Sequence, residues 1–436
     1  MGNPLFYVRA LHFAATLSVA GVVFFIVGIS EPALRDARDY AGGAFAVRSR
    51  LAWIAWISLV VSLLSGVPWL VLTAESMSGL PLGALSHGAL WTVLSQTDFG
   101  NNWLLRFAMA CLLGGLFVHF LPAKGVASLW LKTVTGLLAA AFVGTLAFAG
   151  HAIGGEGIEG VVHPAADVLH LIAAAAWVGA LVPLALLLTM TGEDAGSLAI
   201  ARTATLRFST LGIVCVATLL LTGVVNSWYL VGSVSALTGT RYGQLLLCKL
   251  ALFAAMVGIA AVNWSQLTPR LVQNADVLGA QRARRQLHRN AAIEAAMGAV
   301  IIAIVAVLGT LPPASHAQHE ASGAIPADAS FQHIHTEDGM ADVTIEPGHV
   351  GVAGVTIRLW DAEENELDAQ QLTLTLGPPA AGGKPITRRA LHEADGQWHV
   401  DGIALSQPGN WTVTIDALLG PGKRLTLAAP IVIDAK

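Results

Sequence analysis

His163-Pro-Ala-Ala-Asp-Val-Leu-His170-Leu-Ile-Ala-Ala-Ala-Ala-Trp-Val-Gly179-Ala-Leu-Val-Pro-Leu184 decides how the chain is read. Pro164 suits a first helical position, where its missing N–H is not needed. Asp167 then falls in the first turn, where the helix dipole favours an anion. From Leu171 onward every residue to Leu184 is apolar or small. The stretch reads as the outer end and upper half of a transmembrane helix. A histidine inside such a helix, seven residues after another, is by default a functional residue, because polar groups in lipid are costly.

Working outward, the chain has 436 residues, 55% of them hydrophobic and 12% charged, and its mean hydropathy is +0.65. Apolar runs long enough to cross a bilayer as helix recur near 5–29, 49–73, 102–121, 127–150, 164–190, 203–231, 243–265 and 291–311. The first run is too long, and its basic residues wrongly placed, for a cleaved signal peptide. The chain changes character near residue 312. Beyond it lie 16 acidic and 7 basic residues, against 12 and 17 before it. The expected organisation is an all-α membrane domain over 1–311, a His-containing linker over 312–335 and a small all-β sandwich over 336–436. In the last segment, Ala341-Asp-Val-Thr-Ile, Val355-Thr-Ile-Arg-Leu-Trp, Gln371-Leu-Thr-Leu-Thr-Leu, Gln397-Trp-His-Val and Asn410-Trp-Thr-Val-Thr-Ile alternate as strands do, with turn residues between. Cys111, Cys215 and Cys248 fall within predicted spans and give no disulfide framework.

Basic residues sort between alternate loops. Arg35, Arg38, Arg48, Arg50, Lys124, Arg202 and the cluster Arg270 to Arg289 lie on one side, which the positive-inside rule makes cytoplasmic. Both termini are then external, with Arg9 the exception. This orientation puts His12, His87, His151, His163 and His170 toward the outer side.

The membrane part also repeats itself. His12 precedes Gly21 by the same nine residues that separate His170 from Gly179. The second helix ends Ser65-Gly66 and the sixth Thr222-Gly223. The third opens Thr97-Asp-Phe-Gly100 with Arg106 beyond, and the seventh Thr240-Arg-Tyr-Gly243 with Lys249 at the same spacing. Two parallel four-helix repeats are expected, packed about a pseudo-twofold axis along the membrane normal, with His12 and His170 facing each other at equal depth.

Imidazole is a common metal ligand. His163 and His170 lie on one helix face but about 10 Å apart along its axis. They read as successive stations, with His151 joining His163 and His12 joining His170. The competing reading is hydrogen bonding between helices. Arg106 and Lys249 suit an anion or cofactor-carboxylate contact, a cationic barrier to metal passage, or snorkelling anchors. Glu294 is expected to pair with a neighbouring arginine, and Asn226 to lie in an interfacial belt without a chemical role. His316, His319, His333, His335 and Met340 make the linker and its end rich in ligands, and His333-Ile-His335 sets both imidazoles on one side of an extended strand. Imidazole with thioether suits copper in either oxidation state. No P-loop and no Asp-Lys-Thr-Gly-Thr loop occurs, so ATP-driven pumping is not expected of this chain. Neither enzymatic activity nor a nucleic-acid partner is expected, and nothing in the sequence sets the oligomeric state.

Leu169-His170…Ala176-Trp-Val-Gly-Ala-Leu181, Leu206-Arg-Phe-Ser209…Leu221-Thr-Gly-Val-Val-Asn226 and Thr240-Arg-Tyr-Gly-Gln-Leu-Leu-Leu-Cys-Lys249 resemble the copper resistance protein D family. The tail looks like the YtkA/FixH-type domains appended to some of its members. The resemblance implies an inner-membrane protein that moves copper inward, often with a periplasmic copper-binding partner of the CopC type. No CopC module stands at the N-terminus here, which leaves the copper donor unidentified. Copper is therefore expected to enter from the periplasmic side, through a site between the repeats; the ligands, read from the placement of the histidines and not from the resemblance, are His12, His151, His163, His170, His333 and His335. Two alternatives stay open. One is a membrane redox protein with His12 and His170 as axial ligands of a b-type haem. The other is a delivery factor that hands copper on without transporting it.

Overall fold

A computed structural model describes residues 4–36, 41–78, 87–121, 127–149, 159–190, 195–231, 234–273, 277–311, 326, 328–336, 339–361, 366–379, 384–393, 396–420 and 423–435. The chain divides into two compact units, Met1–Ala317 and Gln318–Lys436.

In the first unit the described residues include eight helices long and apolar enough to span a membrane. They are α1 (Pro4–Arg35), α2 (Gly43–Ser76), α3 (Asp98–Phe120), α4 (Leu129–Ala149), α5 (Val161–Met190), α6 (Gly196–Trp228), α7 (Arg241–Val272) and α8 (Val277–Leu308). This is a multi-pass membrane protein. α1 is the most enclosed and α7 the least. The helix containing α5 begins at Glu159, so Pro164 lies inside it and Asp167 sits beyond its first turn. The assignment of both residues to a helix start is thereby corrected.

α1 and α5 cross in backbone contact. A Cβ added to Gly21 would lie 2.3 Å from the Gly179 carbonyl carbon, and one added to Gly179 would lie 2.4 Å from the Leu17 carbonyl oxygen. Only glycine on both helices permits this approach, as at small-residue contacts between membrane helices generally. The matched glycines are therefore the meeting point of the repeats. The matched threonines also do the same work twice. Thr97 accepts a hydrogen bond from the Gly100 amide and Thr240 from the Gly243 amide, each at 3.0 Å, capping α3 and α7.

Arg9 is buried, and its Nη1 donates to the Gly309 carbonyl at 2.6 Å, just past the end of α8. Its departure from the charge rule has this cause: it satisfies a helix C-terminus, where a cation is favoured. At the other end of α1, Arg48 forms a two-pronged pair with Glu31 at 2.6 and 3.1 Å. Among the described residues Glu294 makes no pair with an arginine, contrary to expectation. Asn263 donates to its Oε1 at 2.8 Å, and Asn290 donates to Asn263 at 2.6 Å.

The second unit is all antiparallel strands among its described residues. They are β1 (Ser330–Thr336), β2 (Gly339–Glu346), β3 (Gly351–Trp360), β4 (Gln371–Gly377), β5 (Ile386–Arg389), β6 (Leu391–His392), β7 (Trp398–Leu405), β8 (Gly409–Gly420) and β9 (Lys423–Ile433). Two sheets, ordered β1-β2-β3-β7-β6 and β5-β4-β8-β9, share a core that includes Ile357, Leu372, Trp411 and Leu427. β1 was expected to be linker, since its polar side chains carry little strand pattern. It forms because β2 supplies hydrogen bonds along its whole length, from Ser330 opposite Ile345 to Thr336 opposite Gly339. β9 escapes the sequence pattern too, through Pro430; an edge strand tolerates the missing N–H.

Candidate metal site in the second repeat

Each repeat holds its histidine by the same device. In the first, Ser65 Oγ donates to the Val61 carbonyl at 2.7 Å, which uses its one proton. The Nδ1 of His12 lies 3.1 Å from both Ser65 Oγ and the Ser62 carbonyl, so Nδ1 must carry the hydrogen and donate. In the second, Thr222 Oγ1 donates to the Thr218 carbonyl at 2.7 Å and lies 2.9 Å from His170 Nδ1. The same argument makes His170 an Nδ1–H tautomer. Beside each ring the helix carries glycine. A Cβ at Gly66 would lie 3.7 Å from His12 Cε1, and one at Gly223 3.9 Å from His170 Cε1. In both rings the lone pair is therefore on Nε2.

The repeats then diverge. Arg106 Nη2 donates to His12 Nε2 at 2.9 Å and to Thr16 Oγ1 at 3.2 Å. Its Nη1 donates to the Phe142 carbonyl at 3.1 Å and to Thr145 Oγ1 at 2.8 Å. The guanidinium carbon sits 4.9 Å from the Phe142 ring centre and 5.9 Å from that of Trp69, close enough for cation–π attraction. Trp69 also covers His12, with ring centres 4.8 Å apart. His12 is 4% exposed and its lone pair is taken.

His170 keeps its lone pair. Among the described residues no hydrogen bond is made to its Nε2. Lys249, which stands where Arg106 stands in the first repeat, is near enough for its charge to act on both His170 and Asp167. It makes no direct ion pair with Asp167 among the described residues. Asp167 lies one helical turn before His170 and one turn after His163. Its Oδ1 accepts from Asn226 Nδ2, and its Oδ2 lies 3.9 Å from His163 Nε2. Tyr242 from α7 is also within electrostatic reach of Asp167. A carboxylate between two imidazoles on one helix face suits a cation. Two turns further along the same face of α5, Trp177 is fully buried and packs edge-on against Phe253 at 6.0 Å.

His12 and His170 do not face each other. Nine residues make two and a half helical turns, so each histidine projects from the side opposite its glycine. The glycines make the α1–α5 contact, and each imidazole accordingly turns into its own repeat, toward α2 or α6. The two rings are not placed to ligate one haem. Of the other expected ligands, His151 lies outside the described residues, as do His316 and His319. His333 and His335 belong to β1, which corrects their placement in the linker. His333 Nδ1 is 2.6 Å from Asp342 Oδ1, and His335 stands opposite Met340 in the β1–β2 register. Among the described residues no three His, Cys, Asp or Glu side chains converge on one metal position.

Asp167 and Asn226 were not expected in the site, nor were the hydroxyls of Ser65 and Thr222. Three of these had a signal. A hydroxyl residue precedes the matched glycine in both repeats, and Asp167 shares a face with His163 and His170. Asn226 had none, because its role depends on α5 lying beside α6.

Comparison with known proteins gives the family. The family profile described as copper resistance protein D matches residues 202–308, and that of its N-terminal domain matches residues 3–161. Copper resistance protein D of Pseudomonas syringae pv. tomato is 36% identical over 283 residues, covering 64% of this chain and 88% of its own length. Inner membrane protein YebZ of Escherichia coli K12 is 35% identical over 224 residues, 51% of this chain and 72% of its own length. Copper transport protein CutJ of Bacillus subtilis 168 is 25% identical over 421 residues, 94% of this chain and 71% of its own length. No solved structure matches.

Proposed function

Because the chain belongs to the copper resistance protein D family, we propose that it takes copper inward across the bacterial inner membrane, with both termini on the periplasmic side. The metal passes through the second repeat and not between the two. The observation that carries this reading is the His170 imidazole: Thr222 holds its Nδ1–H and leaves Nε2 open, one turn from Asp167. Imidazole nitrogen suits copper in both oxidation states. A carboxylate one turn away draws the cation in through a low-dielectric wall.

In this mechanism a periplasmic donor of the CopC type presents copper near His163. His163 and Asp167 receive it, and His170 takes it deeper. Trp177 and Phe253 hold the path shut beyond His170, so passage requires these rings to part. Such gating is what distinguishes a carrier from a pore. The names of two relatives, a copper resistance protein and a copper transport protein, support copper as the cargo.

The test is copper accumulation in proteoliposomes. Wild type is expected to accumulate copper, and His170→Ala to lose uptake while remaining folded. Uptake by His170→Ala at the wild-type rate would rule out this route. Binding without uptake by the wild type would leave delivery to another membrane protein as the function.

A further inference from the structure

The two repeats share a histidine device but differ in what surrounds it, and the difference is one of charge. Three residues before His12 stands Arg9; three before His170 stands Asp167. Three residues after Gly66 stands Trp69, its ring tilted against His12; three after Gly223 stands Asn226, bonded to Asp167. The first repeat thus sets a buried cation, Arg106, directly on its imidazole, and among the described residues none of the hydrogen bonds of Arg106 goes to a carboxylate. The second has one cation, Lys249, and one anion.

We propose that the residue at position 106 or 249 decides which repeat takes metal: Arg106 occupies the only lone pair of His12 and keeps the first repeat metal-free, and Lys249 leaves His170 open. This rests on His170 being a copper ligand. A guanidinium and a metal ion compete for the same Nε2 lone pair, and only one can hold it. Arginine wins in the first repeat because its planar fork finds acceptors on both prongs at once. His12 and Thr16 take one prong, and Phe142 and Thr145 the other. A lysine has a single ammonium on a flexible stem and cannot span the two sets. In the second repeat a carboxylate, Asp167, stands one turn before the histidine. The first repeat is then a latent copy of the metal site, locked by its own arginine.

The experiment is Cu(I) stoichiometry by equilibrium dialysis of the full-length protein in detergent, with helix content followed by circular dichroism. Arg106→Lys is expected to bind about one more copper than wild type, and adding His12→Ala to remove the gain. Lys249→Arg is expected to lose about one copper, as His170→Ala does. If Arg106→Lys does not fold, Lys249→Arg decides alone. Unchanged stoichiometry in the folded position-106 and position-249 variants, beside a loss in His170→Ala, overturns this inference and leaves the transport site standing. Unchanged stoichiometry in His170→Ala overturns both.

Discussion

The two four-helix halves of the membrane unit share a scaffold and divide its chemistry. Both cap their third helix with threonine, both fix an Nδ1–H imidazole on a hydroxyl, and both clear room for that ring with glycine. In one half the imidazole is sealed by arginine and tryptophan. In the other it stands open beside a carboxylate. Duplication preserved what builds the helices and released what lines the pocket, because a backbone contact accepts few substitutions whereas a lining position accepts many.

Several variants break or sharpen that comparison. The largest effect is expected at the crossing of the halves. Gly21→Val forces a side chain onto backbone atoms of α5 that cannot give way, so little folded protein is expected by size-exclusion chromatography. Gly115→Val serves as control, since a Cβ there meets nothing within 4 Å. Equal yields of the two would refute the crossing.

The histidines should then separate. His170→Ala is expected to remove copper binding from the membrane unit with small change in thermal stability. His12→Ala should do the reverse, leaving binding intact and costing about 1–3 kcal/mol, because Arg106 loses an acceptor in a buried site. Equal copper loss in both variants would mean the halves do not differ as described. Asp167→Asn is expected to weaken copper binding by about 10–100-fold, the scale of losing a group that supports a metal ligand. Affinity unchanged in a Cu(I) chelator competition would exclude Asp167 from the site. The smallest effects belong to the caps. Thr97→Val and Thr240→Val should each cost about 1 kcal/mol in thermal unfolding, by similar amounts. A cost confined to one of them would show that the shared scaffold is not shared in energy.

Much of the fold was legible from residue order. The eight spans follow from apolar length, since lipid demands internally bonded helix. The repeat follows from His-to-Gly spacing and paired Thr-x-x-Gly openings. Five of the strands follow from alternation. β1 was hidden because its identity comes from pairing with β2, and β9 because Pro430 breaks a pattern that an edge strand can bear.

Much of the site was legible as a list of residues and not as an arrangement. Sequence alone determined that His12 and His170 are matched, that Arg106 and Lys249 are matched, and that all four lie within apolar helices. These follow from spacing and composition, which are properties of the chain. Only the tertiary structure decided that the imidazoles turn away from each other, that Arg106 bonds one while Lys249, among the described residues, makes no hydrogen bond to the other, and that Asn226 holds Asp167. Each of these depends on which helix lies alongside which, and at what rotation. That rotation is set by the contact of Gly21 with Gly179, two residues 158 positions apart in the chain.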